Sequence, residues 1–422
     1  MAKSFRAMSS PAVPSRKPRV DPLRIKPQRW MTERDTRAVL LALKGDARFV
    51  GGCVRDAILK RPISDIDIAT PLFPDEVMRR LNAAGIKVVP TGLAHGTVTA
   101  VTATRPFEIT TLRRDVATFG RHANVAFTSD WAEDSRRRDF TMNALFLTAE
   151  GDVFDYHEGL HDLHAGKVRF VGQPATRIRE DVLRLLRFYR FQAWYGRGSA
   201  DAAARAACRA SAPLVSTLSG ERVQAELMKL LRAPDPVRSL ALMEEDGVLA
   251  KIVGATRPLD ALGRLVKLER AQKLEADALR RLGALLAGDA AGLATRLKFS
   301  NADRERLIGL AAPIDLAADA PAQRRQLHRL GRDTYIDRVL LTAAVAGTTR
   351  NVKALLALAQ KWRPVAFPLR GSDLLDLGLG PGPDVGTLLA EIEAWWEAGD
   401  FKATRRACLA ELKRRLPAAA PL

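Results

Sequence analysis

Two carboxylates one residue apart, Asp65 and Asp67 in Ser64-Asp-Ile-Asp-Ile68, are the side chains in this sequence best placed to do chemistry. Alternate side chains of a strand share a face, so both acids point one way while Ile66 and Ile68 point into a core. Side by side, the acids repel each other and lose hydration. A divalent cation offsets both costs, and hard oxygen donors suit Mg²⁺. Just upstream, Phe49-Val-Gly-Gly-Cys-Val-Arg-Asp-Ala-Ile-Leu-Lys60 reads as a strand end, a Gly-Gly turn and a short helix. Gly51 and Gly52 let the backbone approach a ligand closely, and the helix start offers free N–H groups and a positive dipole end to phosphate. Arg55 adds a permanent cation one turn further on. Singly, a Gly-Gly turn and an Asp-x-Asp strand are ordinary features; their order and tight spacing set this stretch apart.

Gly-Gly-Cys-Val-Arg-Asp followed by Ser-Asp-Ile-Asp resembles the head signature of the polymerase-beta-like nucleotidyltransferases, and more narrowly the class II tRNA nucleotidyltransferase and bacterial poly(A) polymerase group. Gly92-Leu-Ala-His-Gly-Thr97 is similar to a run in the tRNA branch, and His95 reads as structural. Arg136-Arg-Arg-Asp-Phe-Thr-Met-Asn-Ala144 resembles the second family motif. That resemblance implies that Arg138 contacts nucleotide and that Asp139 and Asn143 hold the ribose pocket. Glu108 lies in a strand-like segment. It is either an exposed-face residue or a third carboxylate beside Asp65 and Asp67, able to serve as a base if it reaches the attacking hydroxyl. Residues 114–135 read as a mobile loop, which in the family accompanies terminal A addition. Asp155-Tyr-His-Glu-Gly-Leu-His-Asp-Leu163 is similar to the family's head-to-neck connector, with His157, His161 and His164 expected at the surface.

Arg179-Glu-Asp-Val-Leu-Arg-Leu-Leu-Arg-Phe-Tyr-Arg190 predicts a helix starting at Arg179. Arg184, Arg187 and Arg190 form a stripe, and Asp181 lies one turn before Arg184 on the same side. Plain Asp–Arg pairing would account for this pattern. A base-selecting role has a chemical basis as well. Cytosine and adenine both set an exocyclic amine beside a ring-nitrogen acceptor, so a carboxylate accepts from one while a guanidinium donates to the other. Uracil and guanine put a carbonyl where the amine would be, and the mismatch leaves polar groups unpaired. Glu180-Asp-x-x-Arg184 resembles the template motif of class II CCA-adding enzymes, with Arg187 and Arg190 matching further nucleotide contacts. Val182 departs from the proline of many relatives, on what is expected to be the first helical turn. Glu221, Arg222 and Glu226 resemble a later neck motif and are expected to brace the template helix.

At 422 residues the chain exceeds one ordinary core. An excess of 67 Lys and Arg over 48 acids, a formal charge of +19, fits a polyanionic partner such as nucleic acid. Cys53, Cys208 and Cys408 are odd in number and far apart, which argues for a reducing, cytoplasmic compartment without a disulfide framework. No apolar run is long enough to span a bilayer, so no membrane partner is expected, and no obligate protein partner is evident. The expected fold is α+β: a mixed-sheet head followed by all-α neck, body and tail. Residues 1–29 read as a disordered basic extension, 30–157 as the head, 158–232 as the neck, and 233–422 as an RNA-tracking body and tail. In order, the head predicts a helix over 32–44 capped by Thr32, strands near 47–52, 64–69, 86–89, 97–103 and 107–112, and a helix over 74–84. The resemblance implies addition of C, C and A to the 3′ end of tRNA from CTP and ATP, with two Mg²⁺ ions on Asp65 and Asp67. The alternatives are a poly(A) polymerase, a partial CC- or A-adding enzyme, and a silent RNA-binding module.

Overall fold

The computed structural model describes residues 23–119, 122–377 and 379–416, with side chains described outside 115–124. Most of the expected basic extension therefore lies outside the described residues. The chain forms two compact units, 1–252 and 253–422.

The first unit begins with Ile25 donating its N–H to the Gly151 carbonyl. Helices α1 (Arg29–Thr32) and α2 (Arg34–Ala42) follow where one helix over 32–44 is expected. Glu33 is extended at the junction (φ −58°, ψ 147°), and the Thr32 hydroxyl bonds back to the Arg29 carbonyl instead of capping α2. Next come β1 (Arg48–Val50), α3 (Gly52–Ile58), β2 (Asp67–Thr70), α4 (Pro74–Ala83), β3 (Lys87–Gly92), β4 (Thr97–Val101) and β5 (Pro106–Thr111). A separate hairpin of β6 (Arg113–Phe119) and β7 (His122–Phe127) precedes α5 (Trp131–Arg136), β8 (Leu145–Leu147) and β9 (Val153–Asp155). The interval expected as a loop thus holds an antiparallel ladder, whose Arg113–Phe127 and Phe119–His122 pairs close its two ends.

The seven-stranded sheet runs β3-β4-β5-β2-β1-β8-β9 and is mixed, since β2 pairs parallel with β5 and antiparallel with β1. Ile68, Phe107 and Ile109 are buried, and period-two alternation sets Asp67 and Glu108 on the other face, where Val50 and Ala69 pack with Leu112 and Phe146.

Helices α6 (Gly159–Ala165), α7 (Pro174–Glu180), α8 (Leu183–Tyr195), α9 (Ala202–Ser211), α10 (Gly220–Leu231) and α11 (Val237–Glu245) complete the unit. The helix expected from Arg179 is broken. Asp181 adopts an extended conformation (φ −151°, ψ 109°) between α7 and α8, and Val182 is the N-cap of α8 instead of a first-turn residue. An aromatic train locks α8 to the head: Phe140 lies 4.8 Å from Phe170 and 5.0 Å from Phe191, and Phe170 stacks on Phe188 at 5.9 Å. Such pairs add roughly 0.5–1.5 kcal/mol each beyond the area they bury.

The second unit is helical. Around its centre, Arg280 bonds Glu269 and Asp337, Arg281 bonds Glu269, and Arg306 bonds Asp337, so these buried charges are mutually compensated. Trp396 is buried with Leu374, Ile392 and Leu412 in a second small core. Among the described residues no helix is long and apolar enough to cross a membrane.

Candidate active site

Asp67 opens β2, and Glu108 stands directly beside it in the parallel ladder. Asp65 precedes the strand instead of lying in it; it is exposed, and the Ser64 hydroxyl donates to it at 2.9 Å. Burial pushes the Asp67 carboxyl up to about 6, and Glu108 and Asp65 push the same way against Arg138. All three acids therefore act on one spot at the sheet surface. Among the described residues, no Lys or Arg forms an ion pair with any of them. Hard oxygen donors that no salt bridge neutralises fit a divalent metal ion. The three stand farther apart than a closed metal cluster. Among the described residues, three ligating groups come within 4.8 Å of one another only at His328, Glu393 and Glu397, and there Glu397 is already paired with Arg329.

Gly51 is the N-cap of α3 with φ 74° and ψ −125°, a conformation that only glycine adopts without strain. A Cβ there would lie 3.8 Å from Arg138 Nη1 and 3.9 Å from Asp67 Oδ2, so the guanidinium and the acid flank this glycine. Cys53 donates its thiol to the Val50 and Asp67 carbonyls, and burial pushes it up to about 12, which makes it a packing group and no nucleophile.

Arg55 is turned inward and is 8% exposed. Its Nε and Nη2 grip Asp56, its Nη1 donates to Asn143 Oδ1 at 2.7 Å, and it stacks on the Tyr195 ring at 4.2 Å. Asn143 Nδ2 donates to Asp139 Oδ1 at 3.0 Å, and Arg187 donates to Asp139 Oδ2 through Nε (2.8 Å) and Nη2 (2.5 Å). The expected ribose residues thus sit in one relay, Arg55–Asn143–Asp139–Arg187, that joins α3 to α8. Burial raises the Asp139 carboxyl, but the charge of Arg187 and the bonds from Asn143 and Phe140 outweigh it and hold the group at about 2.

At the α7–α8 break, Asp181 and Arg184 do not pair with each other through their side chains. Asp181 accepts from Arg222 Nη2 at 2.8 Å, and Arg184 Nη1 donates to Glu180 at 2.5 Å. Arg190 donates to Glu226 at 2.5 Å and packs over the Phe191 ring. Arg222 and Glu226 therefore brace the helix across from α10 and not as a pair within their own helix. His161 and His164 are exposed; His157 is half-buried, bonds Ser135, and burial brings it down to about 4.

Two family models match the chain: the poly(A) polymerase head domain over residues 47–169, and the probable RNA- and SrmB-binding site of polymerase A over 201–256. The mitochondrial CCA tRNA nucleotidyltransferase 1 of Danio rerio is 32% identical over 391 residues, covering 87% of each chain. The CCA-adding enzyme of Lactobacillus johnsonii is 31% identical over 361 residues, covering 82% of this chain and 88% of its own. The chain belongs to the CCA-adding tRNA nucleotidyltransferase family. The Bacillus stearothermophilus CCA-adding enzyme, solved in complex with CTP, superposes with a TM-score of 0.73 at 28% identity, covering 91% of this chain and 98% of its own. Enzymes of this family generally use a divalent metal ion.

Sequence reasoning missed Asp134, whose buried carboxylate accepts from Arg137 and Arg138. Its signal was present, since it stands three and four residues before those arginines, the spacing of helical neighbours. Asp56 adjoins Arg55 in the sequence, but Tyr195, which packs against the Arg55 guanidinium and donates to Asp56, carried no comparable signal because 139 residues separate it from Asp56.

Proposed function

We propose that this chain adds C, C and A in turn to the 3′ end of tRNA from CTP and ATP, releasing pyrophosphate at each step. The observation that carries this is Asp67, paired in the ladder with Glu108 and influenced by Asp65, standing beside Gly51 and Arg138 in one unit with the Asp181 break. Asp65 and Asp67 would hold two Mg²⁺ ions, which when bound would favour deprotonation of the 3′ hydroxyl and neutralise charge on the leaving pyrophosphate. Gly51, Gly52 and Arg138 would receive the triphosphate, with Arg55 supporting from behind through Asn143. Glu108 would accept the hydroxyl proton as the 3′ oxygen bonds to the α-phosphorus and the bond to pyrophosphate breaks. Asp139 and Asn143 would line the ribose side, with Arg187 and Arg190 at the base end. Asp181 and Arg184 would exchange Arg222 and Glu180 for the edge of cytosine or adenine. Residues 30–157 would form the transfer head and 158–232 the base-selecting neck, while 233–422 would bind tRNA. Three free, buried cysteines support a cytoplasmic location.

The test is a tRNA transcript lacking its last three nucleotides, incubated with Mg²⁺ and CTP, ATP or both. Two C residues from CTP alone and one further A from both are expected, with no incorporation by an Asp65→Ala, Asp67→Ala double variant. A long A tract from ATP alone would make the chain a poly(A) polymerase; C or A addition alone would make it a partial enzyme.

A further inference from the structure

Asp134 is a buried acid on which three donors converge. The Arg113 backbone N–H reaches Oδ1 at 3.1 Å, Arg137 Nε reaches Oδ1 at 2.8 Å, and Arg138 Nη2 reaches Oδ2 at 2.8 Å. Its side chain is 1% exposed, and the cations Arg138 and Arg137 overcome the cost of burial and keep it ionised. Among the described residues this is the one side-chain hydrogen bond that Arg138 makes, and its Nε is buried without a partner. With Nη2 pinned on Asp134, Nη1 lies beside Gly51, 3.8 Å from where a Cβ there would stand. The Arg138 backbone is held separately, because Arg177 Nη2 donates to the Arg137 and Arg138 carbonyls. Losing the Asp134 charge would therefore free the Arg138 side chain without releasing its main chain. The third donor, Arg113, starts β6, and its guanidinium reaches the His95 carbonyl while Thr128 N–H closes on Leu112 O. One carboxylate thus joins the root of the β6–β7 hairpin to the arginine beside Gly51.

We propose that Asp134 is a positioning residue that aims Arg138 at the nucleotide's triphosphate and ties that aim to the root of the hairpin. This rests on Arg138 meeting the triphosphate. Aligned, charge-assisted bonds of this kind carry most of a guanidinium's affinity for phosphate, and a side chain released to its many rotamers loses it.

The test uses the full chain and Asp134→Asn, which keeps the shape and the acceptor for Arg113. The KM for CTP and ATP should rise about tenfold or more, as for a hydrogen bond to a charged group, while the KM for tRNA stays within about twofold. Calorimetric CTP binding supplies a double-mutant cycle: the penalty should vanish in an Arg138→Met background, whereas a merely structural role would add the same factor in both. Should Asp134→Asn not fold, Asp134→Glu keeps the charge but displaces Arg138 by a methylene, and the same nucleotide-only rise is expected. An unchanged nucleotide KM, or an undiminished penalty beside Arg138→Met, overturns the proposal. A wild-type chain that adds no nucleotide overturns the functional reading itself, whereas an active chain indifferent to Asp134 overturns only this inference.

Discussion

Asp139→Asn removes one charge from the relay that fastens α8 to the head, and its cost can be worked out from the structure. Asp139 is almost fully buried and accepts four hydrogen bonds, two of them from Arg187. Its carboxyl is held at about 2 against an ordinary 3.8, a gap of nearly two units, or about 2 kcal/mol. Asparagine also leaves Arg187 without its counter-ion. That side chain is 33% exposed and can hydrate in part, so the full cost of orphaning a buried charge does not apply. The expected loss is about 2–3 kcal/mol at pH 7. Because the folded-state value is depressed, the stabilisation is complete above the unfolded value and disappears as pH falls through about 2. The difference between wild type and variant should therefore shrink to about 1 kcal/mol at pH 3. Hydrogen exchange of the α8 amides reads this locally, without treating a two-unit chain as a single cooperative system. A difference that is the same at pH 7 and pH 3, or below about 1 kcal/mol at pH 7, would refute the electrostatic account of the clamp.

Two further outcomes follow from the same geometry. Asp67 is raised to about 6, so below that pH a proton competes with the cation. The Mg²⁺ concentration for half-maximal nucleotide addition should climb by up to about tenfold per unit below pH 6 and level off above pH 7; a flat profile from pH 5 to 7.5 would contradict it. Gly96 has φ 74°, and a Cβ there would lie 2.6 Å from the Phe127 ring, whereas Gly45, at φ 78°, has open space around it. Gly45→Ala should cost about 1 kcal/mol in backbone strain alone, and Gly96→Ala at least about 1 kcal/mol more. Equal losses in urea unfolding would show that the ring yields freely.

The elements that carry the candidate site were legible because their causes are local. Strand alternation and the glycine turn follow from a few adjacent residues, so β1, α3 and the outward-facing Asp67 could be read in order from Phe49 to Ile68, whereas Asp65, expected in the same strand, precedes it. Helix α4 came within one residue of its expected end for the same reason: Pro74 starts it and the sequence beyond does not oppose it. The hairpin over 113–127 was missed because its polar, glycine-containing sequence has no strong alternation; its order comes from pairing.

What the sequence determined by itself, then, is the inventory: which groups carry charge, which strands alternate, and which motifs stand at which spacing. Only tertiary structure decided the partners. Asp181 and Arg184 are three residues apart, yet the break at Asp181 sends one to Arg222 and the other to Glu180. Arg55 is one turn into its helix, as expected, but Asp56, Asn143 and Tyr195 draw it away from solvent. A side chain's type limits what it can bond. Which of several oppositely charged groups it meets depends on long-range packing, because burial makes every unpaired charge costly and the fold settles where all are satisfied together.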